Sequence, residues 1–195
     1  MRLIDAESAR QDWSGMLCGC GGTAEHVARD LRRLAGGPGR DPAESRVEAE
    51  AEAESGVDVG AGVDLEQHVW CPTHLWEPAP AVASVALAAL AEDLPAAARA
   101  RFLDLLLALV AGEGSDFASA RRGLDLPELC RDVARQGLPL LREQVTEYRS
   151  PGVAGSAFEI LTVVEPDRER LRRVRAAAAD WLPVCCRTGL CDEGS

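Results

Sequence analysis

Residues 80–182 are punctuated at intervals that leave room for helices and little else. Turn signals recur near 93–95, 112–116, 137–139, 150–151 and 165–167, each containing Gly or Pro. Between them the apolar residues recur at helical spacing. Val82, Val85, Ala86, Ala89 and Leu90 make a stripe over 80–92. Phe102, Leu105, Leu106, Leu109 and Val110 make another from Pro95 to Ala111, with Arg99, Arg101 and Asp104 expected to face outward. Pro127 starts a further helix with Leu129, Val133 and Leu138 inside. Gly137-Leu138-Pro139 interrupts it, and Leu140–Arg149 continues as its partner. Ser150-Pro151 caps a helix carrying Val153, Ala157, Ile160, Leu161 and Val164. Pro166-Asp167 opens the last, Asp167–Leu182, with Leu171, Val174, Ala178 and Trp181 facing in.

Composition agrees with this rhythm. Alanine supplies 32 residues, aromatics only 4%, and isoleucine appears only as Ile4 and Ile160. Strand-favouring residues are too scarce for a β-sandwich or barrel, whereas Ala, Leu, Arg and Glu favour helices. Every basic residue apart from histidine is Arg, and the absence of Lys excludes a lysine nucleophile, a Schiff base and a Walker-type phosphate loop. The longest apolar region, Ala79–Val110, is broken by Glu92, Asp93, Arg99, Arg101 and Asp104, so no membrane span is expected. The charged N-terminal MRLIDAESARQDW does not resemble a signal peptide. A cytoplasmic protein with reduced cysteines is expected, and their odd number, seven, argues against a closed disulfide framework.

The N-terminal region, 1–35, reads as a helix pair. Residues 5–17 form a short helix containing Trp13, Cys18-Gly19-Cys20-Gly21-Gly22 ends it, and Thr23 caps a second helix over Ala24–Ala35. Residues 36–63 read as an acidic low-complexity linker or insertion. The net charge is −11, and −7 of it falls within residues 40–66. Asp64–Trp70 suits one or two helical turns. Residues 64–184 then form the helical array, and 185–195 a Cys-containing tail without periodicity. With the excess charge acidic, nucleic-acid binding is disfavoured. The one basic cluster, Arg168, Arg170, Arg172, Arg173 and Arg175, reads as a solvated helix face interrupted by Glu169.

Three groups of residues could carry chemistry. His68-x2-Cys71-x2-His74, joined by Cys18 and Cys20, offers the N and S donors that zinc takes in a tetrahedron. Cys-x-Cys is a poor knuckle and Pro72 occupies one gap. Buried thiols and turn-capping imidazoles are therefore the favoured reading, with no metal ligand and no cofactor assigned. Cys185-Cys186-x4-Cys191 could form a weak metal or redox site but has no histidine nearby. A Cys–His nucleophile would pair Cys71 or Cys18 with His26, His68 or His74, and spacing singles out none of these. No catalytic set emerges. Trp70 and Trp76 flank a Pro-rich turn and could anchor a partner, although plugging the end of the helical hairpin is favoured for both.

Two stretches carry a family resemblance. Asp12-Trp13-Ser14-Gly15-Met16 followed by Gly22-Thr23-Ala24-Glu25-His26-Val27 resembles the opening helix and next helix start of bacterial HEAT-like repeat proteins. Val69-Trp70-Cys71-Pro72-Thr73-His74-Leu75-Trp76-Glu77-Pro78-Ala79-Pro80-Ala81-Val82 is similar to their Trp-His-Gln-Gly-Thr-Val-Tyr-Pro-Ala stretch before an Ala-Pro-Ala-Val helix. Arg101-Phe102-Leu103-Asp104-Leu105-Leu106 looks like the second helix of that pair. The likeness covers about 12–34 and 65–182, with Cys71 standing for a family His and Trp76 for a family Tyr. It implies binding scaffolds, some acting as immunity or partner proteins in bacterial conflict systems, and supplies no catalytic residue.

The expectation is therefore an all-α protein, a short HEAT-like α-solenoid of antiparallel helix pairs. It would be a non-catalytic scaffold that binds another protein through Trp70, Trp76, Arg168 and Arg172, with neither nucleic acid nor membrane as partner. The alternative is a small metal-binding or redox protein that uses its cysteine clusters. Oligomeric state is left open.

Overall fold

A computed structural model of the chain describes residues 1–36, 65–111 and 123–189. Most of the acidic segment 36–63, the turn at 112–116 and Cys191 lie outside the described residues. The structure is mostly helical. In chain order it has α1 (Leu3–Arg10), α2 (Glu25–Leu34), a hairpin of β1 (Trp70–Cys71) and β2 (His74–Leu75), then α3 (Ala79–Leu90) and α4 (Ala96–Val110). These are followed by α5 (Leu126–Gln136), α6 (Leu138–Glu147), α7 (Pro151–Val164), α8 (Arg168–Ala177) and the short α9 (Val184–Thr188). Among the described residues, no helix is long and apolar enough to cross a membrane.

Proline sets several helix starts, because its fixed φ suits the first turn and its missing N–H is not needed there. It occupies the first turn of α3, α5, α6 and α7. Asp167 caps α8 by accepting from the Glu169 and Arg170 N–H groups, and Asp125 caps α5 by accepting from that of Glu128. The centre of the core lies where α7 packs on α4 and α6, and α3 on α1, α4 and α5. Phe102, Leu106, Leu109, Phe158, Ile160 and Leu161 are fully buried there. The contact of α4 with α7, three described helices further along the chain, goes beyond strict neighbour-to-neighbour stacking.

The structure departs from the sequence expectations at several places. Trp13 lies beyond α1, not within it. Its indole N–H donates to the Ser8 carbonyl at 2.7 Å, satisfying a helix-end acceptor and folding the chain back. Helical turns are expected over 64–70, but the described part, 65–70, makes a tight turn instead. Gln67 has φ +67° and its N–H reaches the Trp70 carbonyl, so the chain enters the hairpin. On α5 the buried stripe is Leu126, Cys130 and Ala134, while Leu129 is 39% exposed. Small residues are needed on this side because α3 comes close: a Cβ on Gly137, just after α5, would sit 2.6 Å from Leu87. The tail also begins with a helix, α9, which ends at Gly189 with φ +85°.

Arg99 departs furthest, being 1% exposed instead of outward-facing. It lies in the first turn of α4 beneath the C-terminal end of α3, where carbonyls lack helical partners. Its Nη1 donates to the Leu90 carbonyl and to Gln144 Oε1, and its Nη2 to the Glu92 carbonyl. The guanidinium stacks 4.0 Å from the centroid of Tyr148.

The N-terminal region is tied to the array by polar contacts as well as by burial of Ile4, Val27 and Leu31. Ser84 donates to Glu7 at 2.6 Å. Arg2 donates to Glu92 at 2.9 Å, and Glu92 also accepts the Ile4 N–H. Burial works against the Glu92 charge, but Arg2 and the Ile4 N–H outweigh it and hold the carboxyl below its ordinary value. A depressed carboxyl contributes stability above its unfolded pKa and loses it as pH falls through the folded one. Glu92→Gln should therefore destabilise the protein at pH 7. The gap to the parent protein should narrow below about pH 4, as read by urea unfolding across pH.

Candidate metal centre

Cys18-Gly19-Cys20-Gly21-Gly22 makes a compact loop between α1 and α2. The Cys18 N–H donates to the Gly22 carbonyl, the Gly21 N–H donates back to the Cys18 carbonyl, and Gly21 takes φ +85°. Leu17 and Thr23 pair across its base, and the Thr23 hydroxyl donates to Glu25 instead of capping α2. Gly19 is required for a different reason: a Cβ there would lie 2.0 Å from the Gln67 carbonyl oxygen and 2.7 Å from the Trp76 ring. Only a glycine lets this loop reach the 67–76 turn, where its own N–H donates to the His68 carbonyl at 3.0 Å.

That approach brings four donors together. Cys18 and Cys20 come from the loop, His26 from the first turn of α2, and His68 from the turn before β1. One ligand atom from each lies within 4.8 Å of the other three. Cys18 Sγ is 3.4 Å from His26 Nε2 and 3.4 Å from His68 Nδ1, and the two nitrogens are 3.0 Å apart. A tetrahedral zinc with Zn–S about 2.3 Å and Zn–N about 2.0–2.1 Å spaces its ligand atoms about 3.3–3.8 Å apart. The two sulfur–nitrogen separations fall in that range, the nitrogen–nitrogen one is a few tenths of an ångström shorter, and the two imidazoles meet edge to face at 71°.

The thiols are unequal. Cys18 is 1% exposed, and burial pushes its thiol up. Cys20 is exposed, and the Gly22 N–H aimed at it holds its thiol below the ordinary value. Backbone N–H groups directed at sulfur stabilise thiolates, the form in which cysteine binds a metal. Two sulfurs and two nitrogens are the donor set that a closed, structural zinc site uses, whereas a catalytic one keeps a position open.

The fold divides the zinc set suggested by the sequence. His68 joins Cys18 and Cys20, but Cys71 and His74 pair with each other across the hairpin at 3.1 Å. His26 joins the group instead. It belongs to none of the short Cys/His spacings, and only the packing of α2 against the 18–22 loop brings it in. Trp70 and Trp76 are both half-buried, Trp70 packing on the core and Trp76 on Gly19. Arg168 is exposed with its Nη1 donating to the Thr162 carbonyl, and Arg172 is exposed on the same helix. Cys185 and Cys186 have their sulfurs 3.9 Å apart with Glu159 alongside, a group of three donors among the described residues.

No family model matches this chain, and no curated protein and no solved structure matches it either.

Proposed function

We propose that this is a zinc-binding helical protein in which Cys18, Cys20, His26 and His68 hold one structural zinc ion. The carrying observation is the convergence of four soft and borderline donors within 4.8 Å of one another, from three segments distant in sequence. Such a centre would bind the 18–22 loop, the start of α2 and the turn before β1 into one unit. This unit lies on the side of α3 where 1–36 meets the array. The metal's role is architectural: all four positions are filled, so no site remains for substrate or activated water.

The scaffold reading attaches to the same place. A zinc-fixed turn would present Trp70 and Trp76 with part of each ring exposed, the residue type that most often dominates interfaces. A short HEAT-like stack of antiparallel helix pairs in the cytoplasm, with Arg168 and Arg172 at its far end, would be the frame that carries this turn to another protein.

Elemental analysis of protein purified without chelators tests the zinc reading. About one zinc per chain is expected, falling well below that in His26→Ala and unchanged in Cys185→Ser. Metal-free protein that also fails to take up added zinc would refute the reading.

A further inference from the structure

We propose that Cys71 and His74 form a second, chemically separate site, a nucleophilic thiol that takes covalent adducts from low-molecular-weight disulfides. The hairpin builds it. Cys71 and His74 face each other in register across the two-residue turn Pro72-Thr73. Cys71 Sγ lies 3.1 Å from His74 Nδ1, and the Thr73 hydroxyl is 3.3 Å from both atoms. Trp76 meets the His74 ring edge to face at 4.4 Å between centroids, restricting the plane in which the imidazole can receive a proton.

This matches what thiol activation requires: a base within hydrogen-bond reach, oriented by a third group. Pro72 and Thr73 are exposed and Cys71 is half-buried, so a small molecule can reach the sulfur. Burial opposes the thiolate and so does Glu66, but the Thr73 hydroxyl and the Thr73 and His74 N–H groups prevail and hold the thiol below its ordinary value. No other described cysteine combines these features. Cys130 and Cys186 are fully buried, and burial pushes the Cys130 thiol up to about 12. Cys185 is exposed but has no imidazole among its contacts. Cys18 and Cys20 belong to the metal centre.

The step balances without a further reagent. His74 Nδ1 takes the thiol proton. The Cys71 thiolate attacks one sulfur of the disulfide, forming a new S–S bond as the old one breaks. The departing thiolate takes the proton from the imidazolium. Cys71 is oxidised to a mixed disulfide while the other half of the reagent is reduced to a thiol.

The test uses full-length, zinc-loaded protein and oxidised glutathione at pH 7, with adducts located by peptide mass mapping. The first adduct should form on Cys71, faster than on the exposed Cys185. His74→Gln should slow it about tenfold at pH 7, because the proton acceptor is lost while the Thr73 hydroxyl and the backbone N–H groups that hold the thiol down remain. Equal rates at Cys71 and Cys185 in the parent protein, or no change in His74→Gln with helical content and zinc retained, would overturn the proposal. The inference does not depend on the zinc centre. If zinc is absent Cys20 also reacts, but mapping separates that adduct, and the effect of His74 on Cys71 remains.

Discussion

Chelation of zinc should lower the thermal midpoint by about 10 °C or more. A ligand held at about a thousand times its dissociation constant stabilises the folded state by about 4 kcal/mol, and a domain of this size loses about 2–4 °C per kcal/mol. The loss should have a location. The 18–22 loop meets the 67–76 turn largely through polar contacts: the Gly19 N–H and the Cys18 thiol to the His68 carbonyl, and the Cys18 sulfur against His68 Nδ1, with the Trp76 ring beside Gly19. Hydrogen exchange should therefore rise first in residues 17–26 and 65–70, before the buried helices α4 and α7 open. Cys18→Ser should reproduce both effects, because a buried hydroxyl is a poor zinc ligand. Cys185→Ser, at an exposed position, should reproduce neither. If the chelator leaves the midpoint and the exchange pattern unchanged, zinc has no part in holding these segments together.

Arg99→Ala should cost about 4 kcal/mol in urea unfolding. The substitution leaves the Leu90 and Glu92 carbonyls and the Gln144 side chain without their donor in a buried place. Unsatisfied buried groups cost about 1–3 kcal/mol each, and the vacated volume adds a cavity penalty. Tyr148 also loses the cation stacked on its ring. Arg99→Lys should recover only part of the loss, since an ammonium cannot reproduce the planar fork that reaches α3, the 91–95 turn and α6 together. A cost below about 1 kcal/mol, the usual range for an exposed helix position, would show that the guanidinium is not a structural pin.

Arg99 also marks how much of the fold could be read from sequence. Helix-scale periodicity and Pro/Gly punctuation located α3, α4, α6 and α7 to within a few residues, because apolar stripes and first-turn prolines act locally. Arg99 sits on the polar side of its own stripe. Its burial follows from the neighbouring end of α3, which nothing local to α4 reveals. The stripe of α5 differs in part for a related reason: Val133 and Leu138 pack on the core as expected, but Leu129 is exposed and the fully buried positions are Cys130 and Ala134, weaker hydrophobic signals that suit the close approach of α3. Gln67 with its positive φ, and the Trp13 indole closing α1, override local helix propensity through single hydrogen bonds.

The candidate site was legible in part. Cys18, Cys20 and His68 stood out as donors, but the short spacing of His68, Cys71 and His74 suggested a single group where the hairpin makes two. His26 was hidden because α2 reads as an ordinary amphipathic helix, and its place beside Cys18 depends on how Gly19 lets the loop dock. Two of the chain's three histidines meet the same cysteine, and only tertiary contact reveals this.

The most direct measurement is X-ray absorption at the zinc edge on the full-length protein. A shell of two sulfurs at about 2.3 Å and two nitrogens at about 2.0–2.1 Å is predicted, reduced to one sulfur in Cys20→Ala. A shell of oxygen and nitrogen alone, or two sulfurs retained in that variant, would contradict the assignment of Cys18, Cys20, His26 and His68 as the zinc ligands.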